Sequence, residues 1–118
     1  MSVTDTEVID MWGIPKWDHN KIVLGITDHL GWADKAEQGE HLLALQEKLN
    51  AYIAFIESGD IYTEIPGALG KSPIIRIIGK YELSEQGELL VDRATEVLKE
   101  VGIGLEFVLT QDDVTGKE

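Results

Sequence analysis

The chain contains no cysteine. Disulfide bridges, thiolate catalysis and cysteine-ligated zinc are therefore excluded, although the absence says nothing positive about compartment. Basic residues are scarce: 10 Lys and Arg stand against 22 Asp and Glu, a formal charge of −12. That balance opposes contact with nucleic-acid phosphates or anionic lipid, and no stretch gathers enough Lys or Arg to make a local basic patch. No apolar run approaches the roughly 20 residues that a membrane span requires. Met1 to Glu7 is polar and acidic, unlike the basic and then apolar start of a signal peptide. The expectation is a cytoplasmic protein with neither a nucleic-acid nor a membrane partner.

What the chain does hold is material for one core. Its 118 residues are 43% apolar, which suits a single globular domain with polar ends, 1–7 and 111–118, that are flexible. Val8 to Pro15 and Lys21 to Thr27 are β-rich runs about a turn, Trp17-Asp18-His19-Asn20, and read as an antiparallel hairpin. Pro15 cannot donate to a ladder, so the first strand belongs at the sheet edge. After a polar, irregular start at Gly31 to Glu40, Leu42, Leu45, Leu49, Ile53 and Ile56 recur at helical steps, with Glu40, Glu47, Lys48 and Glu57 off that stripe. Gly59 is a natural stop. Asp60 to Pro73 reads as a long loop, with Ile61, Tyr62 and Ile65 packing back onto the body.

Ile74 to Tyr81 is the third strand. Ser84 caps a second helix whose core stripe is Leu90, Ala94, Val97, Leu98 and Val101. Gly102 closes it, and Ile103 to Thr110 alternates as a half-buried strand. The order β-β-α-β-α-β predicts an α+β fold: a four-stranded mixed sheet with two helices, packed on one face if both crossovers step in one direction. The other face would then be open. In that arrangement Ile74, Arg76, Ile78 and Lys80 share it with Glu106 and Val108, half apolar and half charged, a candidate homodimer surface.

Candidate sites are few. Gly67-Ala-Leu-Gly70-Lys71-Ser72 resembles a phosphate-binding loop, but the pattern demands glycine where Ile65 stands, and the segment runs into a strand rather than a helix. Asp28, His29, Asp34, Glu37 and His41 form the one cluster of ligand-type side chains. Asp28, His29 and His41 are the candidate ligand or metal residues, because the end of a strand is where sites on α/β sheets lie. Their spacing matches no metal signature, and adjacent Asp and His cannot point the same way on a strand. Capping and hydrogen bonding in the turn is the plainer account. Trp12, Trp17 and Trp32 crowd the first third of the chain. Exposed, they would form a recognition surface; core packing explains Trp12 and Trp32 as well. Tyr52, Tyr62 and Tyr81 read as residues at the rim of the core. No catalytic residue and no cofactor is indicated.

Val3 to Trp12, Val23-Leu-Gly-Ile-Thr-Asp-His-Leu30, His41 to Tyr62 and the Gly79-Lys-Tyr81 strand end resemble an uncharacterised family of small bacterial proteins, a domain of unknown function. The resemblance implies a bacterial cytosolic protein and no assigned chemistry. The function expected is a non-enzymatic binding or regulatory domain, in one version an immunity-type protein whose acidic surface meets a basic protein partner. The alternative is a small enzyme or a ligand- or metal-binding protein using the Asp28, His29 and His41 region.

Overall fold

The computed structural model describes residues 9 and 11–110. Strands β1 (Met11–Gly13) and β2 (Lys21–Asp28) precede helix α1 (Lys35–Glu57), a short helix α2 (Asp60–Glu64) and a 3₁₀ turn (Pro66–Ala68). Strand β3 (Ser72–Gly79), helix α3 (Glu85–Glu100) and strand β4 (Gly104–Leu109) complete the fold. The four strands lie in chain order; β1 is antiparallel to β2, while β2, β3 and β4 run parallel. This is the expected α+β architecture. No helix among the described residues is long and apolar enough to cross a membrane. The ends 1–7 and 111–118, expected to be flexible, lie outside the described residues.

Local chemistry sets the boundaries. Asp18 holds the β1–β2 turn by accepting from the Asn20 amide at 2.9 Å. Asp34 caps α1, accepting from the Glu37 amide at 2.8 Å, and the Glu37 carboxylate accepts from the Ala33 amide at 3.1 Å. This cap starts α1 at Lys35, inside the stretch expected to begin irregularly. Ser84 caps α3 through the Gly87 amide at 3.1 Å.

The Asp60–Pro73 segment is not the long loop expected. Gly59, at φ 88°, takes the left-handed conformation and lets the chain reverse and restart as α2. Ile61, Ile65 and Ala68 then recur at helical steps and are buried, while Tyr62 stays exposed. In the rejected phosphate-loop segment, the Lys71 ammonium donates to the His19 carbonyl at 2.6 Å.

One core draws on both helices and one sheet face. Ile22, Leu24 and Ile26 of β2, with Ile75 and Ile77 of β3, meet Leu45, Leu49 and Tyr52 of α1 and Val91 and Leu98 of α3. The register pairs Leu24 with Ile75 and Ile26 with Ile77, so these side chains share a face. Two stripes are rotated from expectation. On α1, Lys48 and Tyr52 are fully buried. The Tyr52 hydroxyl donates to the Gly25 carbonyl at 2.5 Å, and the Lys48 ammonium lies 5.6 Å from the Tyr52 ring centroid. On α3, Gly87, Val91 and Leu98 face inward, leaving Val97 and Val101 exposed. Trp32 decides that rotation: a Cβ on Gly87 would stand 2.9 Å from its ring, so α3 turns its smallest side toward the indole.

Replacing Tyr52 with Phe removes a buried hydroxyl and its hydrogen bond to the Gly25 carbonyl. Urea unfolding of Tyr52→Phe should show a loss of about 1–2 kcal/mol with an unchanged far-ultraviolet circular dichroism spectrum.

Candidate functional site

Two regions carry the residues singled out from the sequence, and they lie on opposite sides of the sheet. The first is at the carboxyl end of β2. Asp28 points inward with Leu24 and Ile26, whereas His29, one residue on, is exposed. Strand alternation separates the two. His41, on the first turns of α1, comes back over β2, and its Nε2 lies 2.6 Å from Asp28 Oδ2. Its Nδ1 lies 2.9 Å from the Gly31 carbonyl, and the second Asp28 oxygen accepts from the Leu30 amide at 3.2 Å. Trp32 stacks on the imidazole with ring centroids 3.6 Å apart. The structure thus brings Asp28 and His41 together and leaves His29 out. Asp34 and Glu37 are engaged in the α1 cap.

The hydrogen-bond pattern counts the protons. A carbonyl only accepts, so Nδ1 donates to Gly31. The short contact at Nε2 then requires another proton between ring and carboxylate, on either partner. In both cases the pair is neutral overall, which is the form in which two ionisable groups are buried at least cost. Side-chain exposure is 1% for His41 and 2% for Asp28. Catalysis needs a group within hydrogen-bond reach of a substrate, and these two are walled in by Trp32 and the α1–β2 seam. At this end of the sheet, where open α/β folds place ligands, Trp32 stacks on the imidazole. Among the described residues, no three His, Cys, Asp or Glu side chains are grouped to hold a metal ion.

The second region is the sheet face turned away from the helices. Met11 pairs with Gly25, and Gly25 with Arg76, so these positions share that face. A Cβ on Gly25 would stand 2.6 Å from Met11 Cγ and 3.6 Å from Ile78 Cδ1, which shows that Met11 lies across the glycine. Ile74, Arg76 and Ile78 alternate along β3, opposite Gly104, Glu106 and Val108 of β4. The Arg76 guanidinium is hydrogen-bonded to the Glu106 carboxylate, both side chains partly exposed. Lys80 lies one residue beyond β3, exposed, with its ammonium 5.7 Å from the Tyr81 ring centroid. Toward β1 the face dips into a depression of about 340 Å³ walled by Met11, Trp12, Ile14, Trp17, Val23 and Ile78.

A model of a family of unknown function, DUF6572, matches residues 1–111. The chain belongs to that family. No curated protein and no solved structure matches it.

In this DUF6572 protein the tryptophans divide between the two regions. Trp32 is half-buried, between His41 and Gly87. Trp12 and Trp17 are 52% and 66% exposed. Core packing, one of the readings open for Trp12, is not what its exposure shows: among the described residues β1 is a three-residue strand at the sheet edge. Sequence reasoning missed Met11, Trp17, Val23 and Gly25 as members of the open face. Their signal was present in the alternation of β2, where Val23 and Gly25 are the odd positions between buried Leu24 and Ile26.

Removing one partner of the buried pair strands the other. His41→Ala should destabilise the fold by about 3–5 kcal/mol in urea. The Asp28→Ala/His41→Ala double variant should lose clearly less than the sum of the two single losses.

Proposed function

We propose that this protein is a non-enzymatic binding protein of the bacterial cytosol whose working surface is the uncovered face of its sheet. The observation that carries the reading is apolar side chains on both faces of parallel strands that, among the described residues, are covered on one. Parallel strands are normally buried on both sides, and β3 reads as such a strand, Ile74-Ile75-Arg76-Ile77-Ile78. The face gathers large side chains that water does not favour: Met11 is 46% exposed and Trp17 66%. Aromatic and Met side chains of this kind, with an Arg among them, are enriched at protein interfaces. Asp28 and His41 are buried against each other, which supports a structural role for that pair.

A second reading attaches to the opposite side. Glu40, Glu47 and Glu57 on α1, and Glu85, Glu88, Asp92, Glu96 and Glu100 on α3, are all exposed. A layer with this sign supports capture of a basic protein, including a toxin if the domain is of immunity type, and such binding would weaken steeply with salt.

The two readings separate by position. A photo-reactive phenylalanine analogue replacing Trp17 should give protein adducts on irradiation in cells, and the same analogue replacing Val97 on α3 should give none. Adducts from position 97 alone would transfer the function to the helical layer, and none from either position would retire both readings.

A further inference from the structure

We infer that the occupant of the open sheet face is a second copy of this chain, packed face to face about a two-fold axis. The inference rests on the reading of that face as the working surface and names its partner.

Charge decides between candidate contacts. Each copy carries −12, so two copies repel unless they meet where the carboxylates are not. The helical layer is lined with them. Within the strands, the open face carries Lys21 and Arg76 against one carboxylate, Glu106, and Arg76 and Glu106 already neutralise each other. It is therefore close to neutral on an otherwise acidic molecule. A face-to-face contact sets two such surfaces together and leaves both acidic layers outward, as far apart as the geometry allows. A contact of sheet face on helical layer would also match charge, but head-to-tail contacts propagate into open arrays, whereas a two-fold contact closes at two copies.

Area points the same way. Four strands at about 4.8 Å spacing, with eight residues rising about 3.3 Å each in β2 and β3, present a face of roughly 19 by 26 Å. Burying it on both copies removes on the order of 1,000 Å² from water, the lower bound for a specific protein interface. The chemistry fits a sheet-on-sheet seam about 10 Å thick. Ile74, Ile78, Val23 and Met11 supply its apolar interior, Met11 lying over Gly25 and Ile74 over Gly104, and Trp17 stands at the margin to exclude water.

Sedimentation velocity of the full chain at micromolar concentration tests this directly. The wild-type protein should sediment at twice its 13.1 kDa chain mass. Ile78→Lys and Val108→Lys each place a charge in the seam and should raise the dimer dissociation constant roughly tenfold or more, with unchanged circular dichroism. Val97→Lys, on the exposed side of α3, should leave the dimer intact. Val108 is already 37% exposed, so its variant decides the matter if Ile78→Lys fails to fold. A monomeric wild type, a dimer that survives Val108→Lys, or dissociation by Val97→Lys would overturn the inference. A monomeric wild type whose position 17 still cross-links to a different protein would leave the sheet face as the working surface and remove only the second copy as its occupant.

Discussion

The fold hangs on the handedness of two crossovers. A strand, helix and parallel strand connect right-handedly almost without exception, because a right-twisted strand returns through a helix onto its own sheet in only one sense. Here β2 to β3 and β3 to β4 both step to the adjacent position in the same direction. Two right-handed steps the same way place α1 and α3 on one side, and the core accordingly takes its side chains from both helices and one sheet face. A reversal in strand order would have covered both faces and left no surface to account for. The open face is thus a consequence of strand order.

Three polar groups inside the core belong to the same seam. Asp28, His41 and Tyr52 all join α1 to β2, through the Asp28–His41 contact and the Tyr52–Gly25 bond. Buried hydrogen bonds add modest net stability but leave few alternatives for register, because a slip of one residue would strand each donor and acceptor. Trp32 extends the arrangement to α3 by filling the notch at Gly87. One indole thus touches both helices, and with Gly87, Val91 and Leu98 turned inward, Val97 and Val101 face outward although their spacing suits a core stripe.

The division of charge follows from this layering. Helices with one side against a sheet present the other to water, and in this chain that side is rich in carboxylates. The strands contribute few ionised groups because their residues alternate between a buried face and one that is mostly apolar or glycine. The result is an acidic molecule with one nearly neutral sheet face.

How much was legible without coordinates depends on the range of the cause. The element order, the Ser84 cap, the stop at Gly59 and the inward alternation of β4 were readable because each follows from contacts within a few residues. Strand direction and the two-layer arrangement followed from connection rules. The α2 segment was misread because its proline and glycine content outweighed the four-residue spacing of Ile61 and Ile65. Lys48 was placed off the core stripe and Tyr52 at its rim because polarity, not position, guided the reading, and the contact of Tyr52 with β2 is what its buried hydroxyl needs. By itself the sequence determined an acidic α+β chain with an Asp and two His near one strand end. Only the tertiary structure decided that Asp28 and His41 face each other under Trp32 while His29 does not, and that Met11, Trp17 and Ile78 gather on one uncovered face. Those groupings join residues far apart in the chain, and what brings them together is the packing of helices on a sheet, which no local pattern encodes.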